Sequence, residues 1–132
     1  MIVAGIGCKR GASAPDIEAA IRAALARSGI GSDSLNAIAT IAAKQNEAGI
    51  ETAAAQLGVG VVFVSDAELQ AASRRAETRS ERVLALMGVP SVAEAAALAA
   101  AGPAARLISP RLVVGAATCA LAASGAAPGP AT

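Results

Sequence analysis

Alanine accounts for 38 of the 132 residues, whereas Phe63 is the single aromatic residue. Methyl groups fill space poorly, so a core built from alanine closes only where backbones approach each other closely. Helices that lie flat on a sheet provide this close approach. The length is typical of one domain, and a chain of this size buries a core without disulfide or metal support. The composition therefore favours a single domain in which helices pack on a sheet.

Short apolar runs alternate with amphipathic stretches along the chain, which is typical of an α/β domain. The apolar runs predict strands at 2–6, 37–42 and 60–64. The amphipathic stretches predict helices at 14–28, 47–57 and 66–69. Ser13 is the expected N-cap of the first helix, and either Ser65 or Asp66 is that of the third.

The C-terminal part of the sequence predicts one more helix and a β-hairpin. Ser91 and Glu94 form a capping box that opens a helix ending near residue 101. The Ser109-Pro110 pair predicts a turn between strands at 105–108 and 112–115, which residues 118–122 would extend. Together the elements predict a three-layer α/β/α domain over residues 1–123, with a mixed, mostly parallel sheet and a C-terminal antiparallel hairpin. Residues 124–132 are predicted to form a disordered tail.

Several function classes are excluded by what the sequence lacks. It has no histidine, so the usual general base and the imidazole ligands of zinc sites are missing. A net charge of +1 and the absence of tryptophan and tyrosine argue against nucleic-acid binding. Cys8 and Cys119 match no metal or redox spacing, and no apolar stretch reaches the ~20 residues of a membrane span. We expect a reduced cytoplasmic protein without a metal, a cofactor, or a nucleic-acid or membrane partner.

Ligands of such sheets bind beyond the carboxyl ends of the strands, where the loops at 7–13, 43–47 and 65–82 are expected. The first loop has the glycine spacing G-x-G-x-x-x-G, which matches neither the dinucleotide nor the Walker pattern. We predict that the amides of residues 7–13 line an anion site at the N-terminus of the first helix. Lys9 and Arg10 lie within this loop and would lower the pKa of Cys8. The alternative is a tight strand-to-helix turn with solvated charges.

The other two loops also carry charged residues with two interpretations each. Lys44 and Glu47 are three residues apart, so they form either an ion pair at the start of a helix or a cation that Glu47 orients into the cleft. The arginines at 74, 75, 79 and 82 form either a solvated helix face or a lid over the cleft. Glu94 is better explained as the capping partner of Ser91 than as a catalyst. For Cys119, a small buried thiol is the default interpretation.

Three segments with distinctive residues follow one another along the chain: GIGCKRG at 5–11, AAKQNEAGI at 42–50 and VPSVAEAAALAAAG at 89–102. Together with the Thr118-Cys-Ala segment, they resemble the CobE/CbiG C-terminal domain family of cobalamin biosynthesis over residues 1 to about 123. The resemblance implies that the domain is either fused to an enzyme that opens the lactone ring of a cobalt-precorrin with loss of acetaldehyde, or stands alone. This one-domain chain resembles the stand-alone form, for which hydrolase activity cannot be assumed.

The resemblance implies a precorrin or other corrinoid as the small-molecule partner, and other enzymes of the cobalamin pathway as further partners. Corrinoid intermediates are fringed by carboxylates, which a ring of basic residues would bind. The expected binding residues are Gly5, Gly7, Cys8, Lys9, Arg10, Gly11, Ser13, Lys44, Glu47, Arg74, Arg75, Arg79 and Thr118. No catalytic residue is assigned, and the candidates Cys8, Glu47 and Glu94 lack a visible catalytic partner. The hypotheses are an accessory or carrier protein, a precorrin-modifying enzyme such as a lactone hydrolase, and a docking module for a pathway methyltransferase.

Overall fold

The computed structural model describes residues 1–8, 11–42, 47–73, 92–102 and 104–124. Several predictions fall outside these residues. They concern the binding residues Lys9, Arg10, Lys44, Arg74, Arg75 and Arg79, the N-cap Ser91, and residues 125–132 of the predicted tail. Ser124, the first residue of that tail, donates its backbone N–H to the carbonyl of Met1.

Within the described residues, five strands and four helices follow one another. The strands are β1 (Ile2–Cys8), β2 (Ala37–Ile41), β3 (Gly60–Val64), β4 (Arg106–Val114) and β5 (Ala117–Ala123). The helices are α1 (Ala14–Arg27), α2 (Ala48–Leu57), α3 (Asp66–Ser73) and α4 (Val92–Ala101), with a 3₁₀ turn at Ser32–Ser34. The elements up to β3 lie where the apolar pattern predicts them, and α3 continues to Ser73 instead of ending at Leu69.

The strands form one sheet in the order β3-β2-β1-β5-β4. β1, β2 and β3 run parallel, whereas β5 is antiparallel to both of its neighbours, β1 and β4. Cys8 at the end of β1 is therefore paired with Ala117 at the start of β5. This arrangement brings the β4–β5 turn to the edge at which the parallel strands end, and the predicted mixed sheet is confirmed.

Helices cover both faces of this sheet. On one face, Ile17 of α1 and Ile50 of α2 belong to an apolar cluster with Ile6 and Ile38 of the strands. On the other face, the apolar cluster joins α3 and α4 to the sheet. Its larger members are Val3, Ile41, Val64, Leu69 and Leu98. The predicted three-layer α/β/α architecture is therefore confirmed.

Gly5 shows how an alanine-rich core closes. It lies in β1 directly beneath α4, and a Cβ atom added there would lie 1.9 Å from the carbonyl oxygen of Ala93 and 2.9 Å from the Cβ of Ala97. The helix backbone thus occupies the space that a side chain at position 5 would need. The close backbone approach expected from the composition is present at this crossing.

The predicted turn at Ser109-Pro110 is wrong, because both residues lie inside β4. The chain turns instead at Gly115, whose φ of +58° is the left-handed conformation that favours glycine. β4 is an edge strand of the described sheet, where a proline without an N–H is tolerated, and the pairing with β5 shifts register on both sides of Ser109. Arg27 holds this irregular segment by donating to Ser109 Oγ at 2.6 Å and to the carbonyl of Pro110.

Candidate functional site

The ends of the parallel strands and the β4–β5 turn form one edge of the sheet, here called the carboxyl edge. Gly7 and Cys8 of β1 lie there, and Gly7 is paired with Thr118 of β5. Among the described residues, a Cβ atom added at Gly7, on the α4 face of the sheet, would meet no atom within 4 Å. The predicted site residues Gly7, Cys8 and Thr118 are thus brought together at the carboxyl edge.

The loop from β1 to α1 contributes Gly11 and Ser13 to the same edge. Gly11 has a φ of +76°, which turns the chain toward the helix. The hydroxyl of Ser13 accepts a hydrogen bond from the backbone N–H of Asp16 at 3.2 Å. Ser13 is therefore the N-cap of α1, as predicted, and its oxygen satisfies one of the free amides of the first turn.

Glu47 connects this loop to the start of α2. Its Oε1 accepts a hydrogen bond from the backbone N–H of Gly11 at 2.9 Å. A Cβ atom at Gly49 would lie 2.3 Å from the carbonyl oxygen of Ala12, so the first turn of α2 touches the loop backbone directly. The Gly11 amide therefore binds a carboxylate of the chain itself, which removes it from the predicted anion site.

Asp16 is a residue of this edge whose longer-range role the sequence analysis missed. Its Oδ2 accepts a hydrogen bond from the backbone N–H of Ala116 at 3.3 Å, which fastens the β4–β5 turn to the first turn of α1. A Cβ atom at Gly115 would lie 2.9 Å from the same oxygen. The two partners are 100 residues apart, so no local sequence signal could have identified the contact.

Ser65 and Glu68 form a reciprocal capping box at the start of α3, where β3 ends. The Ser65 N–H donates to Glu68 Oε1 at 3.0 Å, and the Glu68 N–H donates to Ser65 Oγ at 3.2 Å. The hydrogen bonds from the backbone and then the hydroxyl of Ser65 lower the pKa of Glu68 from its ordinary value. Of the two caps left open by the sequence, Ser65 is the one observed.

Two other predicted site residues lie away from these loops. Gly5 is covered by α4, so the absence of a side chain at this position serves helix packing. Glu94 of α4 is fully buried, and its Oε2 accepts a hydrogen bond from the backbone N–H of Arg111 at 3.1 Å. That amide lies in the stretch of β4 where pairing with β5 shifts register, so the carboxylate supplies an acceptor beside the irregular pairing. The contact gives Glu94 a structural role between α4 and β4.

The two cysteines form no disulfide and lie in different surroundings. Cys8 is half-buried at the end of β1, whereas Cys119 is fully buried on the α1 side of the sheet. Burial raises the pKa of the Cys119 thiol to about 12, against a smaller opposing effect of the Arg27 charge. Cys119 is therefore protonated and unreactive near neutral pH, which agrees with its interpretation as a small buried core residue.

The described helices include none that is long and apolar enough to cross a membrane. Within the same residues, no group of three or more cysteine and carboxylate side chains is arranged to hold a metal ion. Among the described residues, the carboxyl edge offers backbone groups, the hydroxyls of Ser13, Ser65 and Thr118, and the carboxylates of Asp16 and Glu47. Each of these two carboxylates accepts a hydrogen bond from a backbone amide of a neighbouring loop. These carboxylates fasten α1, α2 and the β4–β5 turn to one another.

Comparison with known proteins gives consistent matches over most of the chain. The family described as cobalamin synthesis G C-terminus matches residues 2–122. Protein CobE of Sinorhizobium sp is 38% identical over 131 residues, which cover 99% of this chain and 81% of that protein. Cobalt-precorrin-5A hydrolase of Priestia megaterium is 33% identical over 102 residues. That match covers 77% of this chain and only 27% of the hydrolase.

Solved structures agree with these matches. The crystal structure of CobE, a protein from the cobalamin biosynthetic pathway, superposes with a TM-score of 0.85 at 36% identity, covering 92% of this chain and 89% of CobE. Cobalamin biosynthesis protein chiG from Agrobacterium tumefaciens has a TM-score of 0.72 at 46% identity, covering 94% of this chain and 98% of that one. The chain therefore belongs to the cobalamin synthesis G C-terminus family, the CobE/CbiG C-terminal family of cobalamin biosynthesis proteins.

Proposed function

We propose that this protein binds a precorrin or corrinoid intermediate at the carboxyl edge, where it recognises the carboxylates of the ligand. In this proposal the protein acts as an accessory or carrier protein. The observation that carries the proposal is the hydrogen bond between Gly11 and Glu47. In the sequence, Lys9 and Arg10 directly precede Gly11, and Lys44 stands three residues before Glu47. The hydrogen bond thus joins the two segments of the chain that carry these cations.

The chemistry of the ligand class suits such a pair of segments. Corrinoid macrocycles carry acetate and propionate side chains around their rim, and lysine and arginine bind carboxylates through charge-assisted hydrogen bonds. Each such bond contributes about 1.5–3 kcal/mol when it is shielded from water. Three or four of them support binding near −8 kcal/mol, which corresponds to a Kd of about 1 μM, after the cost of association. Arg74, Arg75 and Arg79 would add weaker contacts as part of a lid.

Within the described part of the chain no atom crowds Gly7, which is paired with Thr118, and we propose that part of the macrocycle lies against this pair. The relatives support the ligand class, because CobE is described as a protein of the cobalamin biosynthetic pathway. Cys8 and Cys119 form no disulfide, which suits a reducing compartment, so we also propose a cytoplasmic location.

A spectral titration tests the binding proposal. Purified protein is titrated with a late precorrin or, as a stable substitute, with cobyrinic acid, while the visible spectrum of the ligand is followed. Cobinamide, whose side chains are amides, is the control for carboxylate recognition. We expect saturable binding of the carboxylate form and much weaker binding of the amide form. Equal affinity for both compounds, or no spectral change with either, would contradict the proposal.

The alternative is a precorrin-modifying activity, which the partial match to cobalt-precorrin-5A hydrolase favours. The candidate carboxylates of Glu47 and Glu94 both accept hydrogen bonds from backbone amides, which supports structural roles for them. Incubation with cobalt-precorrin-5A followed by mass spectrometry separates the two functions. An unchanged mass supports the carrier, whereas release of acetaldehyde supports the enzyme.

A further inference from the structure

We propose that Glu47 is a positioning residue, which holds the loop after β1 against the start of α2 and so presets the carboxyl edge for its ligand. This inference rests on the proposed function, because it assigns Glu47 a role in the same binding site. It changes the role expected from the sequence, in which Glu47 orients Lys44 or contacts the ligand itself.

The Glu47 side chain binds a distant loop and not the helix that it begins. Glu47 occupies the N-cap position of α2, yet its side chain makes no capping hydrogen bond to that helix. It reaches instead to the amide of Gly11, which lies 36 residues earlier in the chain. The Glu47 side chain therefore does not cap its own helix, as a residue at this position usually does, but joins the start of α2 to the loop after β1.

The glycine two residues later allows a second contact between α2 and the same loop. Gly49 lies in the first turn of α2, where glycine is less favourable than alanine. A Cβ atom there would lie 2.3 Å from the carbonyl oxygen of Ala12 and 3.3 Å from the backbone nitrogen of Ala14. The absence of a side chain thus allows α2 to touch the loop backbone immediately beside the Glu47 contact.

The two contacts have one physical consequence. The Gly11 amide and the Ala12 carbonyl are both held by the start of α2, so the loop and the helix form a single unit. A ligand that binds at this edge then meets Gly11 and Glu47 at a separation that is already fixed. The loop loses its conformational entropy during folding and not when the ligand binds. Less of the interaction energy is therefore offset by ordering on binding.

A pair of substitutions separates positioning from direct participation. Glu47→Gln keeps an oxygen that accepts the Gly11 hydrogen bond but removes the charge, whereas Glu47→Ala removes the acceptor. If Glu47 positions the loop, the glutamine variant retains ligand affinity and the alanine variant loses it. If Glu47 acts through its charge, as a general base or an ionic contact, the two variants fail alike.

The experiment has a ligand-free readout and a ligand-bound readout. Amide hydrogen exchange of Gly11 is measured by NMR in the wild type, Glu47→Ala and Glu47→Gln, and each variant is then titrated with cobyrinic acid. Glu51→Ala is the matched control, because Glu51 is an exposed carboxylate one turn further along α2. We expect Glu47→Ala to speed Gly11 exchange roughly five- to tenfold and to weaken cobyrinic acid binding about tenfold. Glu47→Gln and Glu51→Ala should stay close to the wild type in both measurements.

The inference is overturned if Glu47→Ala leaves Gly11 exchange and binding unchanged, or if Glu47→Gln binds as weakly as Glu47→Ala. Gly49→Ala provides a second variant that leaves the carboxylate intact. We expect it to weaken binding as well, and unchanged binding would contradict the contact between α2 and the loop. If the wild type binds no corrinoid, the proposed function and the ligand role of Glu47 both fail, while the exchange data still decide whether Glu47 holds the loop.

Discussion

Two glycines on the same face of β1 meet different surroundings. Gly5 lies beneath α4, whereas a Cβ atom at Gly7 would meet no other atom within 4 Å among the described residues. Neither residue has a positive φ, so the backbone itself would accept alanine at both positions. The difference between them is therefore steric, and it separates a glycine required for packing from a glycine that leaves room at the carboxyl edge.

This contrast predicts the effects of two alanine substitutions on stability. Gly5→Ala should lower the free energy of unfolding by about 2–3 kcal/mol, because the added methyl group forces α4 away from the sheet. Gly7→Ala is the matched control and should change it by no more than about 0.5 kcal/mol. Urea unfolding followed by circular dichroism measures both values. Equal stability of the two variants would contradict the packing of α4 on β1.

Single elements are held together at the carboxyl edge by carboxylates that bind backbone amides. Asp16 of α1 binds the amide of Ala116 in the β4–β5 turn, as Glu47 binds that of Gly11. In each case a charged acceptor satisfies an amide that regular secondary structure leaves without a partner. These hydrogen bonds add to the apolar contacts through which α1, α2 and the β4–β5 turn already pack together.

Asp16→Ala tests the tie between α1 and the β4–β5 turn. We expect the free energy of unfolding to fall by about 1–2 kcal/mol, because the turn loses a charged hydrogen-bond acceptor. Hydrogen exchange should become faster at Ala116 and stay unchanged at Gly11. Asp33→Ala, which removes an exposed carboxylate of the 3₁₀ turn, serves as the control. Uniformly faster exchange at both amides would show a general loosening instead of a local tie.

The capping box of α3 predicts a pH dependence at acidic pH. The hydrogen bonds from Ser65 lower the pKa of Glu68 below its ordinary value of 4.5 in the folded state. The contribution of Glu68 to stability is therefore fully present above pH 4.5 and is lost as the pH falls through the lower folded-state value. NMR titration of the Glu68 carboxyl carbon measures this shift. In Ser65→Ala the backbone N–H still donates, so the pKa should rise only part of the way to 4.5, and titration of the wild type at or above 4.5 would contradict the box.

At the scale of the whole molecule, the sequence predicts the helices and strands that local patterns determine. It does not predict the contacts between residues that are far apart in the chain. The elements from β1 to β3 carry caps and apolar periods within short stretches, so their positions could be read directly. The predicted turn at Ser109-Pro110 is wrong because this pair is a strong local turn signal, whereas the pairing of β4 with β5 and the contacts with Arg27 and Glu94 keep the segment extended. The contacts of Asp16 and Glu47 depend on the folded topology, which brings residues distant in sequence to one edge.

The central claim is that the basic residues of the loops at the carboxyl edge bind corrinoid carboxylates. It is tested most directly by the affinities of Lys9→Ala, Lys44→Ala and Arg106→Ala for cobyrinic acid at low ionic strength. Arg106 is the control because it is exposed and paired with Ala123, at the end of β5 opposite to Thr118. We predict that each lysine variant binds roughly ten- to a hundredfold more weakly than the wild type, whereas Arg106→Ala binds equally well. If all three variants bind with wild-type affinity, the ligand does not bind at these loops and the claim is contradicted.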